Sequence, residues 1–126
     1  MKKIINSDNA PKPIGPYNQS VYFNDLLFTS GQIALDLDGN LINNNIESET
    51  HQVFKNLKAI LEEAELSFKD VLKISIFLKD MNDFDKVNAV YSTYFMSDTA
   101  PARETVQVAK LPKDVNIEIS LIAGKS

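Results

Sequence analysis

The chain has 126 residues, 44% hydrophobic and 24% charged, with a formal net charge of −4; residues 1–126 read as one ordinary globular domain with a single core. It has no cysteine and one histidine, His51, which excludes thiol catalysis and a disulfide framework and leaves no ligand set for a zinc site. Lysines and acids are interspersed, which argues against a nucleic-acid footprint. No apolar run follows Met1-Lys2-Lys3, so neither a signal peptide nor a membrane span is expected, and the expected compartment is the cytoplasm.

Residues 1 to 16 read as a short opening strand and then an irregular segment, because Pro11, Pro13 and Pro16 forbid a helix. Gly15-Pro16-Tyr17 turns the chain and presents a tyrosine, read plainly as a packed aromatic. Residues 19 to 23 and 26 to 30 predict two strands joined by a tight turn at Asn24-Asp25. At Ser30-Gly31-Gln32 the glycine permits a positive φ or a close approach to the backbone, a bulge being the plainer reading. Asp36-Leu37-Asp38-Gly39-Asn40 starts like a calcium loop, but the position that needs glycine is Leu41, so a turn through Asp38-Gly39 is expected.

Residues 47 to 65 carry the strongest helical pattern, with Val53, Phe54, Leu57, Ile60 and Leu61 at three- and four-residue steps. His51 falls beside Lys55 and Lys58 on the polar face, as a solvated residue. Residues 71 to 79 are rich in β-formers and predict a strand with Leu72, Ile74, Ile76 and Leu78 on one face. Asn82 then caps a second helix over about 84–95, with Phe84, Val87, Tyr91, Tyr94 and Phe95 on its stripe and Asn88 beside it.

The last third reads as a β-hairpin. Residues 103 to 108 and 115 to 122 alternate in character, and Leu111-Pro112-Lys113-Asp114 has turn chemistry between them. With Ala109 opposite Asp114, Thr105 faces Glu118 and Arg103 faces Ser120. That register gathers a guanidinium, a hydroxyl and a carboxylate on one face, and a one-residue slip breaks it. Arg103 is the chain's only arginine, and guanidinium is the better bidentate partner for a carboxylate. A structural salt bridge between Arg103 and Glu118 explains the spacing as well as an active site does.

The order β-β-β-α-β-α-β-β predicts an α+β sandwich with two helices on one face of a mainly antiparallel sheet. Val21, Phe23, Leu27, Phe28, Phe77 and Ile122 cannot all point at two helices. A sheet apolar on both faces needs a second cover, and oligomerisation supplies one.

At this point the residues resemble a family. The block Pro101-Ala102-Arg103, Val106, Leu111-Pro112-Lys113-Asp114-Val115 and Ile117-Glu118-Ile119 is similar to the hallmark of the reactive intermediate deaminases, the RidA or YjgF-type group. Ile14-Gly15-Pro16-Tyr17, Ser30-Gly31-Gln32-Ile33 and Asn82-Asp83-Phe84 through Val87-Asn88 to Tyr91 match in the same order. The resemblance implies a chorismate-mutase-like fold and a homotrimer with ligand sites in clefts between subunits. It implies hydrolysis of 2-imino acids, such as 2-iminopropanoate and 2-iminobutanoate, to 2-oxo acids and ammonia, with no cofactor and no metal. Arg103 and Glu118 would be the catalytic pair, and Arg103, Thr105, Tyr17, Ser30, Gly31 and Asn88 would bind substrate. Ala34, Glu104, Thr105 and Ser120 depart from the family's common residues, and the last three bear on substrate preference.

Three other readings compete. A non-catalytic sensor of 2-oxo acids needs the arginine but not Glu118 as a base. An RNA-directed translation inhibitor or ribonuclease, a role given to some family members, fits poorly with the charge and the lone histidine. A chorismate mutase, suggested by fold alone, needs more cations than one arginine.

Overall fold

Local chemistry accounts for where each element starts and stops. In the computed structural model, which describes residues 1–126, the elements are β1 (Lys3–Ile5), β2 (Ser20–Phe23), β3 (Leu26–Thr29), α1 (Ile46–Glu63), β4 (Val71–Leu78), α2 (Phe84–Tyr91), β5 (Ala102–Gln107) and β6 (Ile117–Gly124). The β2–β3 turn places Asn24 and Asp25 at φ 50° and 63°, the left-handed pair that a two-residue hairpin requires. The Asn45 side chain accepts the Ser48 N–H to open α1, and Glu47 and Glu49 sit in its first turn. The helix stops at Ala64, and Glu65 adopts φ 59°.

The expected order of elements holds, and the fold is α+β. Six strands form one sheet in the order β1-β2-β3-β6-β4-β5, antiparallel except for the β4–β5 pair. The inner face carries Leu27, Ile74, Ile76, Leu78, Ile117 and Ile119, all fully buried with Val53, Phe54, Leu57, Ile60 and Leu61 of α1 and Val87 and Val90 of α2 in one core.

The predicted C-terminal hairpin does not form. β5 and β6 flank β4 on opposite sides, β5 parallel to it and β6 antiparallel. A strand–helix–strand run brings the second strand back parallel to the first, so the β4–α2–β5 unit captures β5, and β6 takes the other edge of β4. The link between them folds across the end of β4: the Val108 N–H donates to the Leu78 carbonyl at 2.9 Å, and the Lys79 N–H to the Asn116 carbonyl at 3.0 Å. Pro112–Asp114 forms a tight 3-10 turn, with Lys113 and Asp114 at φ 55° and 53°.

Three smaller expectations also change. Leu72 does not join Ile74, Ile76 and Leu78: a β-bulge between Val71 and Lys73 turns it outward, 53% exposed, and Val71 takes the inner place. Asn82 is not the cap of α2. Its N–H is instead accepted by the Asp80 side chain in a 3-10 turn, and Asp83, at the cap position, makes no side-chain bond. Finally, α2 ends at Tyr91, because Thr93 and Tyr94 donate to carbonyls three residues back. That tightening seats Tyr94 and Phe95 against Phe54, at ring-centroid distances of 4.5 and 6.0 Å.

The outer face of the sheet has no helix over it. Phe28 pairs with Val21 and Ile122, and Phe77 with Val106 and Glu118; Phe28 and Val106 are each about two-fifths exposed. Of the six apolar residues that two helices could not cover, only Leu27 lies fully inside.

Candidate functional site

The predicted site residues fall into two groups on opposite faces of the sheet. Directly paired residues share a face. Arg103 and Thr105 pair with Ile74 and Ile76, whose other partners are Leu121 and Ile119, so both lie on the helix side. Glu118 pairs with Phe77 and Ser120 with Ser75, on the outer side. The expected juxtaposition of Thr105 with Glu118, and of Arg103 with Ser120, is absent because β4 runs between them.

The first group surrounds Glu118. β3 leaves β6 after the Phe28–Ile122 pair, and the chain touches β6 again through Gln32, which exchanges backbone hydrogen bonds of 2.8 and 3.1 Å with Ile119. This return lays Gly31 against the Glu118 side chain. A Cβ on Gly31 would stand 2.7 Å from both Cδ and Oε2 of Glu118, so close approach is what the glycine provides. Tyr17, Gln32, Ile33 and Pro112 complete the cleft with Pro11, Lys12, Ile14 and Leu35. Burial pushes the Glu118 carboxyl above its ordinary range, and no cation pairs with it.

Tyr17 stands at the cleft with its hydroxyl accepting the Ile14 N–H at 3.4 Å. Ser30 plays a supporting part: its hydroxyl donates to the Asn18 carbonyl at 2.6 Å and its N–H to the Gln19 carbonyl at 2.8 Å. Gln19, 2% exposed, holds the approach to the cleft. Its Oε1 accepts the Ser7 N–H at 2.6 Å, and its Nε2 donates to the carbonyls of Ser7 and Pro11 at 3.0 and 2.9 Å.

The second group surrounds Arg103. Its guanidinium carbon lies 4.7 Å from the Tyr91 ring centroid and 5.6 Å from that of Phe84, a cation–π seat that orients the fork. No carboxylate of the same chain forms an ion pair with it. Burial pushes the Tyr91 hydroxyl above its ordinary range, opposed by the charge of Arg103. Asn88 lies one helical turn beyond Phe84 and three residues before Tyr91, on the flank that carries both rings. Thr105 Oγ1 is buried without a hydrogen-bond partner.

Glu104 and Ser120 lie on the outer face, both opposite Ser75. Lys73 Nζ sits 2.7 Å from Glu104 Oε1, and that hydrogen bond, with a second from Ser75, holds the Glu104 carboxyl below the usual range. His51 is exposed on α1, its Nδ1 2.7 Å from the Tyr94 hydroxyl, away from both groups. No three acidic or histidine side chains converge in a way that would hold a metal ion, and no helix is long and apolar enough to cross a membrane.

Gln19, Gln32, Lys12, Pro112 and the ring of Phe84 were not legible as site residues. For Phe84 a signal existed: it and Tyr91 lie a helical interval apart on the helix that precedes the arginine strand.

The two groups carry opposite charges, and neither has an ion-pair partner in the chain. One offers an enclosed, unpaired carboxylate, the other an unpaired guanidinium beside an unsatisfied hydroxyl. Residues 7–125 match the family described as Endoribonuclease L-PSP, and the chain belongs to that family, which takes in the RutC and Rid proteins. A RutC family protein of Pyrococcus horikoshii is 51% identical over 126 residues, covering 99% of each chain. The 2-iminobutanoate/2-iminopropanoate deaminase of Salmonella typhimurium is 45% identical over 125 residues, covering 98% of each. Among solved structures, a protein of the conserved Rid family from Yersinia pestis superposes with a TM-score of 0.95 at 43% identity, covering 99% of this chain and 100% of that one. Such neighbours have the chorismate-mutase-like arrangement expected above.

Proposed function

We propose that the protein hydrolyses reactive 2-imino acids, such as 2-iminopropanoate and 2-iminobutanoate, to 2-oxo acids and ammonia, at sites completed between copies of the chain in a homotrimer. The observation that carries this reading is the separation of Arg103 from Glu118. Imine hydrolysis needs an anchor for the carboxylate and a base for water. The chain carries both groups, each unpaired, on opposite faces of one sheet, where they cannot meet within one copy. The uncovered apolar outer face favours association, and the Salmonella relative bears the name of this activity.

Arg103, seated against the rings of Tyr91 and Phe84, clamps the substrate carboxylate through two N–H donors. Thr105 Oγ1, otherwise unsatisfied, is available to the bound acid. Glu118 of a neighbouring copy accepts a proton from water as the water oxygen bonds to the imine carbon, giving a carbinolamine. It then returns that proton to nitrogen. With the imine protonated at the start, the C–N bond then breaks as the carboxylate takes the proton of the carbinolamine hydroxyl, which becomes the carbonyl of the 2-oxo acid, and ammonia leaves. Burial beside Gly31 raises the carboxyl above its ordinary range, which makes it a stronger base for the water proton. Such imines also hydrolyse unaided, and one positioned general base contributes roughly 10²–10⁴-fold.

The test couples an amino-acid oxidase or a serine dehydratase to the protein and follows trapping of the imine by semicarbazide. The wild type should suppress trapping, and Arg103→Ala and Glu118→Gln should not. Full activity in either variant contradicts the assignment. If Glu118→Gln binds 2-oxo acids unchanged and the wild type hydrolyses nothing, the protein is a sensor. RNA cleavage that survives purification and disappears in Arg103→Ala would favour the nuclease implied by the family description.

A further inference from the structure

Glu49 is the only charged side chain buried in the chain, 1% exposed, and it lies on the apolar stripe of α1 with Val53, Asn56, Leu57 and Ile60. A buried carboxylate is costly unless its oxygens are satisfied, and both are. Oε2 accepts the Asn116 N–H at 2.9 Å, and Oε1 accepts from Asn116 Nδ2 at 2.7 Å. Asn116 stands two residues before Glu118.

Two turns further along the same stripe, Asn56 Nδ2 donates to the Ile33 carbonyl at 3.1 Å and the Leu35 carbonyl at 2.9 Å. Gln52 Nε2 donates to Asn56 Oδ1 at 2.9 Å and fixes the amide's orientation. Ile33 and Leu35 follow directly on Gly31-Gln32 and line the cleft. One helix face thus grips both chain segments that enclose the Glu118 carboxylate.

These grips matter because the cleft edge of β6 is poorly secured. β4 pairs with one edge over its whole length, but β3 reaches the other only from Ile122 onward. Upstream, that edge has the Gln32–Ile119 backbone pair and the Thr29 Oγ1 acceptor, 3.0 Å from the Leu121 N–H. The side chain at 118 is packed against a glycine with no room to spare. We infer that Glu49 and Asn56 are positioning residues, which set from one face of α1 the spacing between the Gly31 segment and the Glu118 carboxylate. The inference rests on the reading of Glu118 as the catalytic carboxylate, but its geometry can be tested without that reading.

The direct probe is the titration of the Glu118 carboxyl carbon by ¹³C NMR in the full-length protein, alongside imine-hydrolysis kinetics. The other titratable groups of the cleft are Lys12 and Tyr17, and the substitutions touch neither. In Glu49→Ala and in Asn56→Ala the carboxyl should titrate lower, nearer the ordinary carboxylate range, as its enclosure loosens. kcat should fall about 10- to 100-fold, as for a misplaced catalytic group, with KM little changed because Arg103 still holds the substrate. Glu49→Gln keeps an oxygen for the Asn116 N–H and presents its amide to a flipped Asn116, so it should restore both readouts.

Folded Glu49→Ala and Asn56→Ala proteins with unchanged titration and unchanged kcat would overturn the inference. If Glu49→Ala does not fold, Asn116→Ala removes one of the two bonds and keeps the other. It should show a smaller shift in the same direction, and no shift would overturn the inference equally. Should Glu118→Gln hydrolyse imines normally, the catalytic reading falls, while the titration still decides the positioning.

Discussion

Arg103 and Glu118 stand on opposite faces of one sheet, with β4 between their strands: Arg103 is paired with Ile74 and Glu118 with Phe77, three residues apart in β4 and so pointing to opposite sides. The two side chains therefore cannot close a salt bridge within the chain, and the structural explanation of their spacing lapses. A guanidinium seated on two rings and a carboxylate enclosed by a glycine loop are left without partners in their own chain.

Gly31→Ala tests the closeness of that enclosure. The new methyl group would meet the Glu118 carboxylate at 2.7 Å, and the carboxylate, as the far end of a flexible side chain, would swing aside. The stability cost should stay near the low end for overpacking, about 1 kcal/mol, while kcat falls about 10-fold or more through the displaced base. Thermal unfolding and steady-state kinetics on one preparation check both. Normal turnover would mean that the position of the carboxylate is immaterial.

The raised pKa of Glu118 makes a signed prediction about stability. Below its ordinary value of 4.5 the carboxyl is protonated in folded and unfolded chains alike and contributes nothing. As pH rises from there through the raised folded value, the unfolded chain releases its proton first, so stability falls. Glu118→Gln removes this loss. An arginine from another copy would oppose the effect, so the comparison belongs in an Arg103→Ala background at fixed protein concentration. The Gln variant should gain in urea midpoint at neutral pH and lose the gain below pH 4.5; an advantage independent of pH would contradict burial as its cause.

Gln19→Ala should cost about 2–3 kcal/mol, because it strands the buried N–H and carbonyl of Ser7 and the half-buried carbonyl of Pro11 that the amide satisfies. Urea unfolding measures it. Turnover should fall as well, since the segment it holds leads into Pro11, Lys12 and Tyr17 at the cleft. A loss below the scatter of surface substitutions would show that water replaces the amide.

Much of this architecture was legible in the sequence. Asn24-Asp25 has the chemistry of a left-handed two-residue turn, and the stripe of α1 has its period, so elements and order followed. Strand neighbours did not. Alternation in 103–108 and 115–122 marks strands and faces, but a proline turn between them is compatible with pairing to each other or to a third strand. The β4–α2–β5 run was the missed cue, because such a unit returns parallel. The Leu72 bulge left no mark in a run of β-formers. Glu49 and Asn56 did leave one, as polar residues on an apolar stripe, whereas nothing near Gln19 distinguishes it from a surface amide.

Mixing two inactive chains is the most direct measurement of whether Arg103 and Glu118 meet across copies. Arg103→Ala and Glu118→Gln proteins, unfolded together in equal amounts and refolded, should regain about a quarter of wild-type imine hydrolysis, the share of shared sites that receive one intact residue of each kind. Each variant refolded alone should remain inactive. A mixture as inactive as its components, with mixed oligomers present by native mass spectrometry, would contradict a site built from two chains.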